Sequence, residues 1–409
     1  MTDVTLVLNA GSSSIKFALF PAVEGVQEPV LRGKLSGIGS HPRFTAQTRD
    51  GTTPNWDAQL PLHPRASHED LIPALFDWLE RHDDGLTITA AGHRVVHGGR
   101  EHHGPARVCP TLLDDLAELI PLAPNHQPHS LVAIQCLVDA VPRLPQVVCF
   151  DTSFHRTQDS MAQTFALPRA LSESGIVRYG FHGLSYQYIA DRLPETPLGT
   201  RSEGRVIVAH LGNGASLCAM RQRRSVATSM GFTALEGLMM GQRCGSLDPG
   251  VLLHLLDGKG MSTTELRHLL YEESGLLGVS GISNDMAELE AHPAPEAREA
   301  IEMFCYRAAC EMTSLATALG GLDSIVFTAG IGENSALVRH LIIQRLAWLG
   351  ATLDTDANQR NATSITGKDS ALEILVIPTD EEGIIASETR RLLSVQPTSS
   401  HRTIQQSRP

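Results

Sequence analysis

The sequence predicts an α/β protein of two related lobes, and three stretches carry that prediction. Residues 5–20, TLVLNAGSSSIKFALF, run from apolar Leu6, Val7 and Leu8 through a polar turn into a second alternation of Ile15, Phe17 and Leu19. Residues 206–220 repeat the design, with the turn HLGNGAS between an apolar strand and LCAM. Residues 324–327 do so a third time, running into TAGIGENS and a helical pattern of Leu337, Leu341, Ile342 and Leu346. Apolar runs around a short Gly-containing link read as strands and tight turns. Taken alone, each turn reads as a polar hairpin tip. Repeated near residues 10, 212 and 330, they imply related halves, each offering N–H groups and hydroxyls suited to phosphate oxygens, with a nucleotide held between two lobes. The first turn is not a Walker loop, because no Gly-Lys-Ser/Thr opens a helix there.

The remaining elements follow in order. Residues 24–62 alternate weakly, as sheet and loops do. Residues 67–82 form a helix, with Leu71, Ile72, Leu75, Phe76 and Leu79 on one stripe behind Ser67 as N-cap. Residues 91–100, AGHRVVHGGR, make a strand ending in glycines, and 111–120 a helix capped by Thr111 that leads into LAPNHQPHS. Residues 145–150 are a buried strand ending at Asp151, where α/β proteins place ligands, although a loop cap explains Asp151 equally well. Residues 177–193 set Phe181 and His182 just ahead of a helix, and 194–204 form a surface connection. In 228–250 Met239 and Met240 read as core, whereas Arg243 among glycines suits an aimed guanidinium. Residues 295–319 are the longest helix, begun by Pro295 and stopped by Gly320-Gly321; its apolar stripe serves a core or a subunit interface equally well. Gly330 and Gly332 allow close backbone approach, and Asn334 suits a helix cap. The strand 374–377, PTDEEG and a helix to about Leu393 close the fold, and the polar residues 396–409 fray.

Composition sets limits. A chain of 409 residues makes about two or three domains. A net charge of −12 argues against nucleic acid or an anionic membrane as partner, so positive charge for an anionic ligand must be local. The seven cysteines (109, 136, 149, 218, 244, 305, 310) are scattered and never form C-x-x-C, which favours reduced thiols in a cytoplasm over disulfides or structural zinc. The first residues show no basic region followed by a long apolar run, and no apolar run approaches about 20 residues, so neither secretion nor a transmembrane helix is expected.

The polar groups at strand ends and Gly turns are Asn9, Ser12, Ser14, Lys16, Arg94, Asp151, His182, Asn213, Arg243, Glu381 and Glu382. Cations, carboxylates able to hold Mg²⁺ and one histidine suit phosphoryl transfer, whose transition state spreads anionic charge. The histidines at 97, 102, 103, 126 and 129 lack the helical spacing of a metal pair. His93 and His97 have it, but on a strand and its turn.

NAGSSSIKF, GHRVVHGG, FDTSFH, RYGFHG, HLGNGAS, TSMGFTALEGLMMGQRCG, SGISNDM, FTAGIGENS and PTDEE, in that order, resemble the acetate and propionate kinase family over nearly the whole chain. The resemblance implies the architecture shared by sugar kinases, heat-shock ATPases and actin: two lobes, each on a ribonuclease-H-like mixed sheet flanked by helices, closing on ATP, usually in a homodimer. It implies an acceptor-side lobe at 1–150, onto which a helix at about 382–396 packs back, a nucleotide-binding lobe at 151–381, and a flexible tail at 397–409. It implies reversible transfer of the ATP γ-phosphoryl group to acetate, with Mg²⁺ (or Mn²⁺) at Asn9 and Glu381. Arg94 and Arg243 match the family's substrate arginines, and Asp151 and His182 its catalytic pair. Ser12, Ser14 and Lys16 match one phosphate loop, and His210, Gly212, Asn213 and Gly214 the other. Asp285, Gly330, Ile331, Gly332 and Asn334 match the adenosine pocket.

The acid pocket matches in part: Val96 and Phe181 agree, while Asn125 and Ala234 stand where Leu and Pro are usual. Altered discrimination among short acids is therefore expected. Met286 and Ala287 replace an aromatic and an Arg near adenosine, so weaker nucleotide contacts are expected. Leu184 and Tyr186 replace the usual Thr and His. The alternatives are a kinase for another short acid such as propionate, a sugar or polyol kinase, and a nucleotide-binding regulator that has lost catalysis. Two acceptor-side arginines argue against the second, and the intact polar set against the third.

Overall fold

The computed structural model describes residues 2–11, 13–23, 25, 28–53, 63–81 and 85–394. Ser12, His82 at the end of the first expected helix, and the expected tail at 397–409 lie outside the described residues. Two mixed sheets carry the fold. The first orders β1 (Thr2–Ala10), β2 (Ser14–Pro21), β3 (Leu31–Ser36), β4 (Arg43–Thr48), β5 (Leu86–Val95), β6 (Ala106–Arg107) and β7 (Gln146–Phe150) as β4-β3-β2-β1-β5-β7-β6. The second orders β8 (Arg205–Leu211), β9 (Ala215–Arg221), β10 (Arg224–Thr228), β11 (Ser324–Thr328) and β12 (Glu373–Val376) as β10-β9-β8-β11-β12. In each sheet an antiparallel meander is extended by two strands parallel to its first: β5 and β7 beside β1, β11 and β12 beside β8. The same five-strand layout is thus used twice, the ribonuclease-H-like pattern that the resemblance implies.

Alternation assigns side chains to the two faces of each sheet. Ile207, Ala209, Ile325 and Phe327 pack with Phe304, Cys305 and Met312 of the helix Pro295–Leu319. Val206, Val208, Val326 and Leu375 pack with Tyr186 and Ile189 of the helix Gly183–Arg192. The stripe of Pro295–Leu319 is therefore core, and Gly320 ends the helix in the left-handed region at φ 69°. In the first sheet Leu6 and Leu8 meet the helix His68–Arg81, while Val7 and Val147 meet Ile384 and Ile385 of the helix Glu381–Ser394. Gly92 is what lets that last helix dock on β5, because a Cβ there would stand 2.4 Å from Thr389 Oγ1 and 2.7 Å from Ile385.

Two helix starts differ from the sequence reading. The second helix is Pro110–Glu118, with Cys109 before it, so Thr111 lies inside the first turn: Pro at N1 gives up an N–H that has no partner there anyway. Asn334 ends a short helix, Ala329–Asn334, and Ser335 caps the next, Ala336–Arg345, by accepting from Val338 N at 3.0 Å.

Candidate active site

The register brings three predicted residues together at the carboxyl ends of parallel strands. β1 pairs with β5 at Leu8 and His93, and β5 with β7 at Arg94 and Cys149, so Asn9, Arg94 and Asp151 leave one edge of the first sheet. Arg94 donates to both Asp151 oxygens, Nε to Oδ1 at 2.9 Å and Nη2 to Oδ2 at 2.6 Å. Its Nη1 reaches Asn9 Oδ1 at 3.4 Å, and Glu381 Oε2 lies 3.8 Å from Nε. Burial pushes the Asp151 carboxyl up while Arg94 opposes it. Burial also works against the Arg94 charge, but Asp151 and then Glu381 outweigh it and push the guanidinium up. An arginine so firmly charged, gripping both oxygens, keeps the pair ionic at neutral pH.

RYGFHG builds the facing wall. Gly180 takes φ 74°, where a Cβ would meet the His155 ring at 2.5 Å, and Gly183 lies so close to the Asp151 carbonyl that a Cβ would come within 2.2 Å. Between them His182 is itself left-handed at φ 58°, the kind of sparsely populated backbone that active sites hold. Its ring stacks on His210 with centroids 4.1 Å apart, and its Nδ1 lies 2.8 Å from Ser216 Oγ. Burial, then His210, Arg94 and Arg243, hold His182 well below the usual histidine range; burial and then Arg94 bring His210 to about 3. Both imidazoles are neutral.

Arg243 completes the cleft. Its Nη1 donates to Ala234 O at 2.6 Å, and among the described residues it has no carboxylate partner. The cleft, of about 510 Å³, is lined from both sheets by Asn9, Lys16, Arg94, Val96, Asp151, Phe181, His182, His210, Gly212, Asn213, Gly214, Ala234, Arg243, Gly330 and Glu381. A neighbouring cavity of about 580 Å³ shares Gly212, Asn213 and Gly330 and adds Asp285, Met286, Ala287, Ile331 and Asn334. Asp285 there accepts from Ala287 N and Glu288 N, and so caps the helix Met286–Ala291.

Three predicted residues stand elsewhere. Asn125 is half-buried off the cleft, and its neighbour His126 lines the wall instead, held at about 4 by burial and then by Arg243 and Arg94. Gly332 is buried, and a Cβ there would make ordinary contacts with Phe327, Ala209 and Leu211, so it faces the strands and not the cleft. Ser14 opens β2, where its carbonyl accepts from Gly11 N at 2.8 Å, outside the cleft lining. Arg32, His126, Glu333, Thr379 and Asp380 line the cleft without having been singled out as site residues. Glu333, Thr379 and Asp380 had a local signal, since they lie in TAGIGENS and PTDEE; Glu333 Oε1 accepts from Ala329 N at 2.7 Å and from Thr379 N at 3.0 Å, tying the two stretches together. Among the described residues no three His, Cys, Asp or Glu side chains form a ready metal cage, and no helix is long and apolar enough to cross a membrane.

A model of the Acetokinase family matches residues 4–387. An acetate kinase of Rhodopseudomonas palustris is 52% identical over 399 residues, covering 96% of this chain and 99% of the relative. An acetate kinase of Rhizobium meliloti is 44% identical over 398 residues, with 96% and 99% covered. Among solved structures, a propionate kinase from Francisella tularensis superposes with a TM-score of 0.87 at 37% identity, covering 95% of this chain and 99% of that one. The acetate kinase of Porphyromonas gingivalis gives 0.83 at 33%, with 96% and 100% covered.

Proposed function

Because the chain belongs to the acetokinase family, we propose that it is an acetate kinase, moving the γ-phosphoryl group of ATP directly and reversibly to the carboxylate of acetate. One observation supports this reading above the rest: both Asp151 oxygens are taken by Arg94, so Asp151 is not free to act as base toward an alcohol. A carboxylic acid with a pKa of about 4 to 5 needs none, being ionised at pH 7. The difficulty is bringing one anion against another. Arg243, without a carboxylate partner, meets the incoming charge together with Arg94, and the neutral His182 donates to a phosphoryl oxygen without adding a charge to be discharged. The glycine turns at 212–214 and 330 hold the other phosphates, and the cavity at 285–287 the nucleoside. In-line transfer leaves no phosphoenzyme.

Mg²⁺ fits the oxygen donors Asn9 and Glu381, a cation that keeps several waters and binds through one or two carboxylates and the nucleotide's phosphates. When bound it would neutralise phosphate charge. The test is acyl phosphate formation from Mg-ATP with formate, acetate, propionate, butyrate and a hydroxy acid, trapped with hydroxylamine. Acetyl product is expected with the natural chain and its loss in Arg243→Ala; no product with any acid would overturn the reading.

Propionate as the preferred acid is a second reading, and Ala234 favours it by making one wall of the cleft smaller. A methylene is worth about 1–3 kcal/mol, so Ala234→Pro should shift kcat/KM toward acetate by roughly tenfold if that wall selects the acid. The division at about residue 150, with the final helix returning to the first lobe, is supported by the two separate sheets. A cytoplasmic homodimer is the expected setting. The free thiols support the compartment, and exposed Leu247, Val251, Leu253 and Tyr306 support an apolar contact that analytical ultracentrifugation would detect.

A further inference from the structure

Behind His182 runs a chain of buried hydroxyls. Tyr186, on the helix Gly183–Arg192, is fully buried, and its Oη lies 2.5 Å from Ser216 Oγ, its one polar partner among the described residues. Ser216, also fully buried, lies 2.8 Å from His182 Nδ1. Setting aside the arrangement in which Nδ1–H and Tyr186 both donate to Ser216 and leave the serine O–H buried without an acceptor, two arrangements of protons fit these contacts. In one, His182 Nδ1–H donates to Ser216, which donates to Tyr186, and the phenol O–H is left buried without an acceptor. In the other, Tyr186 donates to Ser216 and Ser216 donates to a bare Nδ1, so that every buried O–H has a partner. Leaving a donor buried and unpaired is costly, and the second arrangement wins.

We propose that Ser216, whose oxygen accepts from Tyr186, fixes the tautomer of His182 by donating to Nδ1, placing the one ring proton on Nε2, toward the cleft. Nε2 is the nitrogen that looks outward: it lies 3.4 Å from where a Cβ on Gly214 would stand, and Arg243 Nη2 lies 3.1 Å from the same point. The stack on His210 holds the ring plane, and the hydroxyls hold the tautomer. Burial keeps Tyr186 a phenol, its pKa well above the ordinary value, so its proton stays available. Tyr186 and Ser216 touch no reacting atom and act as positioning residues. The rate consequence rests on the phosphoryl-transfer reading above; the tautomer does not.

The decisive measurement is ¹⁵N NMR of the full chain labelled at histidine, with the His182 resonances assigned by their loss in His182→Ala. The expected result is Nε2–H with a bare Nδ1 in the natural chain and in Tyr186→Phe, where Ser216 still has Nδ1 as acceptor, and a gain of the Nδ1–H form in Ser216→Ala. A natural chain with Nδ1–H, or a tautomer unchanged in Ser216→Ala, overturns the proposal. In parallel, Ser216→Ala should lower kcat by about threefold to tenfold while the KM for ATP and for acid stay within twofold. Ser216→Thr, which keeps the hydroxyl, should retain Nε2–H; losing it would count against the relay. If the natural chain makes no acyl phosphate, the functional reading falls, and the spectra still decide the tautomer.

Discussion

Gly214 shows how little room the cleft leaves at the scale of one residue. A methyl group there would stand 3.1 Å from Arg243 Nη2 and 3.4 Å from His182 Nε2, between the two groups that meet the transferring phosphoryl in the proposed reaction. Its backbone is not left-handed, so alanine is tolerated by conformation and opposed only by space. Gly214→Ala should therefore leave thermal unfolding within a degree or two, yet lower kcat by roughly threefold to tenfold, the cost of pushing the Arg243 guanidinium aside by a few tenths of an ångström. Calorimetry and steady-state rates on one preparation check both halves. At this scale the sequence was most readable where chemistry and backbone coincide. Arg94, Asp151, His182 and Arg243 stand at strand ends or among glycines, where a polar side chain has little to do for packing. His126 escaped because nothing in LAPNHQP distinguishes which of two adjacent polar residues turns inward; that is set by the packing of the loop against distant strands.

The short helix Ala329–Asn334 makes the case at the scale of an element. Six residues cannot sustain a helix alone, and this one is held at both ends by side chains. Glu333 accepts from its first N–H, and the fully buried Arg339 donates to the carbonyls of Gly332 and Glu333, both at 2.9 Å. Arg339 also donates to Asn358 Oδ1, Asn358 O and Asn361 Oδ1 at 2.6–2.7 Å, a guanidinium solvated by amides in place of water. Burial lowers it only to about 10, so it stays charged at neutral pH. Arg339→Met should cost on the order of 3 kcal/mol in urea unfolding, since several carbonyls lose a charged donor. It should also raise the KM for ATP more than that for the acid, because Gly330 and Ile331 lie on the loosened helix. Equal changes in both would argue against that placement. Here the sequence misled in part: of the stripe Leu337, Leu341, Ile342 and Leu346, Ile342 and Leu346 are buried and Leu341 partly so, yet Leu337 is 42% exposed while Val338, Arg339 and Ile343 also face inward. Periodicity has no means of recognising a buried arginine whose partners lie near residue 358. The strands β7, β8 and β11 were legible because they are covered on both sides and read as continuous apolar runs.

Over the whole molecule, buried histidines set the response to acid. His93, His97 and His155 lie outside the cleft lining, are nearly inaccessible, and are each held at about 4, chiefly by burial. In the unfolded chain an imidazole titrates near 6.5. As pH falls through that value the unfolded state takes up protons that the folded state refuses, so stability present above 6.5 is lost progressively toward 4. Asp191, Glu311 and Glu382, raised by burial, pull the other way. From pH 7.5 to 5.5 the histidines should prevail, at roughly 1 to 1.5 kcal/mol each, or about 4 kcal/mol together. Urea unfolding at half-unit steps across that range should show the midpoint falling with nearly constant slope. A flat profile would mean that these rings accept protons in place, and the dry interior behind β5 and β7 would have to admit water.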